Sequence, residues 1–379
     1  YKQEQIEINT DKEEYKKKQV KSNTNREKYK QEQIQTNTDN EKGKNINIDK
    51  IKHKRENRIP ALSVKNLKVI FPNEMGIIRA VEGIDIEIEK GKCVALVGES
   101  GCGKSVTSLA TMKLLSPTAI MRVDEMKLCG EDITKLSDKQ MQNLRGKKVS
   151  IVFQDALPEL NPVMTIGKQL DEVFCRHLDI SKKEAKKHSI EALRLVGVPD
   201  PKVRYKAYPH ELSGGMRQRV LIAMAFACNP DLIIADEPTT ALDVTIQAQV
   251  LNVLGEMQKQ QGTSLLLITH DLSVVVHMAD EIYVMYSGKI VEKASTYEIF
   301  TNPLHPYTKG LIGSVAKMGD ERGAFVQIPN SLPNPMHKPK GCYFAPRCPY
   351  ATEQCDTKMP PIKTLENGRQ IRCFFYDKI

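Results

Sequence analysis

Four short stretches, with a fifth that ends in Gln154, bring together residue types that could do chemistry on a phosphate. The first is "GESGCGKS", Gly98–Ser105, which fits the pattern G-x-x-x-x-G-K-[ST] and directly follows the apolar run "CVALV" at 93–97. Glycines at that spacing let the backbone curl until successive N–H groups point inward at an anion. Lys104 then reaches the β- and γ-phosphates, and the Ser105 hydroxyl binds Mg²⁺. A helix beginning near Ser105 would present its N-terminus to the same anion. The second stretch, "LIIADEP" (232–238), ends an apolar run with two carboxylates. Asp236 is expected to hold the Mg²⁺ shell, and Glu237 to orient and activate an attacking water as general base. A plain helix cap is the alternative for that pair, and a Gly-rich turn that binds nothing is the alternative for the first stretch. The third stretch is "SLLLITHD", which places His270 at a strand end, where it would contact the γ-phosphate or the water. Gln154 closes "VSIVFQ" in the same way and would sense Mg²⁺ and water. The fourth is "ELSGGMRQRV" (211–220), where Ser213, Gly214 and Gly215 open an apolar helix. That is a second phosphate cradle in a chain that already has one, and it makes sense if it serves the ATP of a partner subunit.

These groups need a frame. "VSIVF" (149–153), "LIIA" (232–235), "SLLLIT" (264–269) and "IYVMY" (282–286) are short continuous apolar runs with helical patterns between most of them. This alternation predicts an α/β domain around a largely buried parallel sheet, which binds its ligand at one edge. "ALSVKNLKVIF" and "VEGIDIEIEKG" alternate instead and read as half-buried strands. Ser181 and Glu184 form a capping box for a helix over 181–196, and Gly197 sits at its stop position. From about residue 300 the proline density rises ("IPNSLPNPMHKPKG"), which reads as a linker.

Composition limits the rest. The chain has 379 residues, 27% charged and 40% hydrophobic, enough for two or three domains. No apolar run approaches the length of a membrane span, and no signal peptide is visible in the polar N-terminal stretch. The chain opens at Tyr1 and not at Met, which leaves its true start open. Of the net charge of +9, residues 1–58 carry +5, from 16 Lys+Arg against 11 Asp+Glu. The remainder is only weakly basic, so no direct nucleic-acid binding is expected. Residues 1–44 hold a 14-residue repeat starting at Tyr1, Tyr15 and Tyr29. The period of two heptads would suit a coiled coil, but each unit has few apolar residues, so a disordered low-complexity tail is the expectation over 1–58.

In this order "GESGCGKS", Gln154, "LSGGM", "LIIADEP", "ALD" (241–243) and His270 resemble the ATP-binding subunit of ABC transporters. The resemblance runs over roughly residues 60–375. It implies a P-loop NTPase of ABC type: a RecA-like core with an antiparallel β subdomain and a helical subdomain at about 156–212. The cassette would cover 59–310 and a cysteine-rich extension 311–379. It further implies that Phe71 stacks on adenine. Gly98, Ser100, Gly101, Cys102, Gly103, Lys104, Ser105 and Val106 would bind ATP, and Ser105, Gln154 and Asp236 would bind Mg²⁺. Asp243 would lie in a dimer-interface loop. "FQDALPELNPVMTIG", "DEPTTALDVTIQAQV", "NPLHPYTKGL" and "GCYFAPRCPYATEQC" are similar to the oligopeptide/dipeptide importers. Here "DALPEL" departs from the "DPMxSL"-like form of close relatives, in a loop that should face the membrane subunits. Met216 stands where most ABC proteins have Gln.

The implied activity is ATP hydrolysis powering import of short peptides, on the cytoplasmic face of a bacterial or archaeal membrane. Implied partners are a second, different ATPase subunit, two transmembrane permease subunits and an extracytoplasmic solute-binding protein. A nickel or other small-solute importer is the nearest alternative. A soluble ABC ATPase of DNA repair or translation would usually carry two cassettes or large insertions, and the presence of Lys104, Asp236, Glu237 and His270 argues against a module with a dead site. Among the nine cysteines, Cys93, Cys129, Cys175 and Cys228 read as small buried apolar residues. Cys342, Cys348, Cys355 and Cys373 cluster, with gaps of 5, 6 and 17 residues. In a cytosolic subunit a disulfide is disfavoured. Four thiolates suit zinc or an iron–sulfur cluster, and four buried thiols without metal are the third option. The resemblance implies a [4Fe–4S] cluster on these four.

Overall fold

The computed structural model describes residues 59–379, with 155, 241, 315–327 and 329–330 excepted. The 1–58 tail and its expected disorder lie outside the described residues. In chain order the strands are β1 (Leu62–Asn73), β2 (Gly76–Ile88), β3 (Cys93–Val97), β4 (Ile120–Arg122), β5 (Glu125–Leu128), β6 (Glu131–Asp132), β7 (Val149–Val152), β8 (Leu232–Asp236), β9 (Ser264–Thr269), β10 (Glu281–Tyr286), β11 (Lys289–Ser295), β12 (Lys363–Thr364) and β13 (Gln370–Ile371).

The larger sheet has the order β12-β13-β11-β10-β3-β9-β8-β7, and its strands from β10 to β7 are parallel. Every residue of β3, β8 and β9 is buried, which is why these strands read as continuous apolar runs. Alternate side chains serve two cores. Leu96, Leu266 and Ile268 pack with β1 and β2, while Cys93, Leu265 and Leu267 pack with Val220, Val250 and Leu254. Each fully buried Leu or Ile contributes about 1.5–3 kcal/mol. The second sheet, β2-β1-β5-β6 with β4 on β1, is antiparallel, and β2 alternates buried and exposed residues over Ile84–Ile88. β10 and β11 are joined by Ser287 and Gly288, both at positive φ (44° and 85°), the geometry a two-residue hairpin turn requires.

Between β7 and β8 the described regular elements are helices: Ala156–Glu159, Ile166–Leu178, Lys182–Leu195, Pro201–Arg204, a single turn at Pro209–Glu211, and Gly214–Phe226. The expected capping box is present: the Glu184 N–H donates to Ser181 Oγ at 3.3 Å, and the Ser181 N–H donates to Glu184 Oε2 at 3.1 Å. Gly197 follows at φ 69°. No local sequence pattern marks the C-terminal strands. β13 pairs with β11 and β12 with β13, so the chain after residue 360 extends the edge of the central sheet. Residues 59–379 form one compact unit.

Candidate active site

β3, β8 and β9 lie side by side and point the same way, so the loops after Val97, Asp236 and Thr269 meet at one edge. After β3 the chain turns through Gly98–Gly103 into the helix Lys104–Thr111. Two positions demand glycine. A Cβ on Gly98 would stand 2.2 Å from the Met285 carbonyl oxygen. Gly103 has φ 109°, and its Cβ would stand 2.5 Å from the Ala80 carbonyl oxygen. Lys104 is 4% exposed, and its Nζ donates to the carbonyls of Gly98 (2.8 Å) and Glu99 (3.1 Å). Ser105 Oγ donates to Asp236 Oδ1 at 3.0 Å, and Ser108 Oγ to Asp236 Oδ2 at 2.8 Å. Burial raises the Asp236 carboxyl above its ordinary range, more than these two hydrogen bonds lower it.

Glu237 follows with φ 46°, a left-handed conformation uncommon outside glycine, held by its N–H donating to the Ile268 carbonyl at 2.8 Å. Its side chain lies 3.5 Å from Lys104 Nζ and 3.2 Å from His270 Nδ1, and it accepts from Thr240 Oγ1 at 3.0 Å. Burial pushes this carboxyl up, but Lys104, His270 and Thr240 together outweigh it and hold Glu237 below the usual range. Two adjacent carboxylates with opposite shifts is a pattern that separates roles in a reaction site.

A cavity opens above the loop. Phe71, Ser100, Gly101, Gly103, Lys104, Ser105, Val106, Gln154 and Glu237 line it. Of the other expected residues, Gly98 and Cys102 do not line it. Cys102 is 1% exposed, and burial pushes its thiol up to about 11. Asp236 is reached through Ser105, and His270 through Glu237. The wall also includes Leu332, Pro333, Asn334, Pro335 and Lys338, from the proline-rich stretch read as a linker. Only its proline density marked that stretch, and proximity to the cavity depends on tertiary packing. Lys338 fixes it there: Nζ donates at 2.7 Å to the Arg79 and Ser287 carbonyls and to Glu82 Oε1.

Ser213, Gly214 and Gly215 do not line this cavity. Ser213 caps the helix Gly214–Phe226, its Oγ accepting from the Met216 N–H at 3.4 Å. A Cβ on Gly215 would stand 2.4 Å from Ile246. Asp243 caps the helix that carries Ile246, accepting from the Ile246 N–H at 3.0 Å. Ser213–Gly215 and Asp243 thus meet through Ile246.

The four clustered cysteines converge. Cys342, Cys348, Cys355 and Cys373 line one small cavity with His305, Phe344, Phe374 and Phe375, and none is in a disulfide. The four thiols share a cavity but are not placed as a ligand set for the metal expected here. Among the described residues no three His, Cys, Asp or Glu side chains are grouped to hold a metal ion. Burial raises the Cys342 thiol to about 11 and raises those of Cys348 and Cys373 as well. Of the cysteines expected to be buried, Cys93 is, whereas Cys129, Cys175 and Cys228 are half-buried.

Comparison with known proteins agrees with this geometry. The ABC transporter family profile matches residues 81–240, and that of the oligopeptide/dipeptide transporter C-terminal region matches 291–355. The oligopeptide transport ATP-binding protein AppD of Bacillus subtilis is 48% identical over 84% of this chain and 97% of its own length. The dipeptide transport ATP-binding protein DppD of Escherichia coli is 43% identical over 83% of this chain and 96% of its own. Among solved structures, the dimeric post-hydrolysis ATP-binding cassette MJ0796 with ADP and Pi aligns at TM-score 0.56 and 26% identity, over 62% of this chain and 98% of that one. A phosphate loop, a paired-carboxylate strand end and an ABC cassette fold thus stand together with relatives matched over almost their full length, and the chain belongs to the ATP-binding subunits of ABC transporters, in the oligopeptide/dipeptide group.

Proposed function

We propose that this chain hydrolyses ATP to power import of oligopeptides or dipeptides through a membrane transporter. The observation that carries it is the meeting of Lys104, Ser105, Asp236, Glu237 and His270 at one edge of the sheet. Lys104 exchanges its two main-chain carbonyl partners for the β- and γ-phosphates, and the loop N–H groups bind the β-phosphate. Phe71 stacks on adenine. Ser105 and Asp236 are hard oxygen donors that already touch, and with Gln154 they fit Mg²⁺. When bound, Mg²⁺ neutralises charge developing on the transferred phosphoryl group. Glu237, ionised at neutral pH, accepts a proton from the attacking water, with His270 holding its carboxylate in place.

The exposed start of the helix Gly214–Phe226, away from its own chain's cavity, supports a paired arrangement in which Ser213, Gly214 and Gly215 close on a partner's ATP. The partner is a second ATPase subunit of a different sequence. Asp243 lies at the seam, and closure drives two permease subunits supplied by a solute-binding protein. No helix among the described residues is long and apolar enough to cross a membrane, in keeping with a peripheral subunit on the cytoplasmic face. In the assembled transporter Glu237→Gln is expected to reduce hydrolysis by at least a hundredfold while ATP-driven closure persists. Hydrolysis at the normal rate would remove Glu237 from the mechanism.

A [4Fe–4S] cluster, or zinc in its place, on Cys342, Cys348, Cys355 and Cys373 belongs to the same reading. Convergence of the four thiols on one cavity supports it, and their spacing as placed does not. Anaerobic purification with iron and zinc analysis decides: about four irons per chain are expected, and neither metal would leave a thiol core.

A further inference from the structure

The phosphate loop is held from outside by the C-terminal segment. Arg347 lies between Cys342 and Cys348, in a single helical turn at Ala345–Arg347. Its side chain is 4% exposed, and Nη1 donates to both carboxylate oxygens of Glu99, at 3.0 and 3.1 Å. Glu99 is the second residue of the loop, and its carbonyl is one of the two that hold Lys104. The Glu99 N–H donates to the Tyr307 hydroxyl at 3.0 Å, so side chain and main chain are each fixed by residues beyond position 300. Arg347 also donates to the Tyr286 hydroxyl at 3.3 Å, at the end of β10.

A carboxylate in a loop that binds a polyphosphate repels its ligand unless it is neutralised. We propose that Arg347 is a positioning residue for nucleotide binding: it neutralises Glu99 and turns that carboxylate away from the phosphates. The inference rests on reading Gly98–Ser105 as the phosphate loop. It makes the cysteine-bearing segment a component of the nucleotide site and not an appendage to it.

The test is titration calorimetry of the full chain with MgADP. Arg347→Met is expected to weaken binding about tenfold, near the lower end of what a charge-assisted hydrogen-bond pair contributes. Arg347→Lys should retain most of the affinity. Glu99→Gln introduced into the Arg347→Met chain should restore affinity to within about threefold of Glu99→Gln alone, because the unpaired charge is gone. A merely structural arginine predicts the reverse, with the double variant no better than Arg347→Met. That result, or unchanged affinity in Arg347→Met, overturns the proposal. Should the Met variant fail to fold, Arg347→Gln keeps a donor for Tyr286 and is read by the same pattern. If the unaltered chain does not bind MgADP, the phosphate-loop reading itself fails. If it binds and Arg347→Met binds equally well, only this inference does.

Discussion

Ser105 and Ser108 donate to the two oxygens of Asp236 at 3.0 and 2.8 Å, yet burial still lifts this carboxyl above its ordinary range. A folded-state value above the unfolded one means that the native chain holds the Asp236 proton more tightly than the unfolded chain does. The associated stability is therefore present below the unfolded value and lost as pH rises through the folded one, so at neutral pH the full cost is in force. Asp236→Asn has no charge to desolvate. Its nucleotide-free melting midpoint at pH 7 is expected to exceed that of the unaltered chain by about 1–3 °C, with the gap closing as pH falls towards 4. Adding MgADP should then raise the midpoint of the unaltered chain and leave the variant nearly unmoved. A variant that melts lower than the parent at pH 7 would contradict this. Glu237, one residue on, needs no such allowance, because Lys104, His270 and Thr240 hold it ionised.

At the scale of elements, what could be read from sequence depended on how local the cause was. β3, β8 and β9 were legible because strands buried on both faces must be apolar throughout. The capping box at Ser181 and Glu184 was legible because both partners lie within one turn. β12 and β13 are two residues each and exist only because β11 offers an edge, so no local pattern announced them. The stretch 328–341 showed its prolines and hid its destination. Proline lacks an N–H to satisfy, which suits Leu332–Pro335 to lining a cavity wall without a regular ladder. The site divides in the same way. Lys104, Ser105, Asp236 and Glu237 follow from motif chemistry. The contact between Arg347 and Glu99 joins residues 248 positions apart, and the left-handed backbone of Glu237 depends on its bond to β9, so neither was visible.

For the whole molecule, the question is whether the cassette stands without residues 315–379. The MJ0796 cassette aligns along 98% of its length with only 62% of this chain, so the fold as such does not require an extension. This chain has built one into its core. Glu292 on β11 is fully buried and accepts N–H bonds from Leu304 and His305, each at 2.9 Å. Its charge is balanced by Arg369, also buried, whose Nη2 donates to it and to the Asn302 carbonyl. Phe344 closes over Tyr286 and Tyr307, with ring centroids 5.2 and 5.5 Å away. A chain ending at Ser314 would keep Glu292 and lose its cation, which costs about 3–5 kcal/mol for a buried pair broken on one side. It would also expose the Tyr286–Tyr307 face, at about 3–5 kcal/mol for the lost aromatic. Together these approach the total stability of an ordinary domain. The truncated chain is therefore expected to be largely insoluble, or to melt more than 10 °C below the full chain. Arg369→Met in the full chain isolates the charge contribution and should cost about 3–5 kcal/mol in denaturant unfolding. Glu292→Gln added to Arg369→Met should recover at least half of that, since a neutral amide can remain buried on the same N–H donors. A truncated chain that melts with the parent would show that the extension is carried by the cassette and contributes nothing to holding it together.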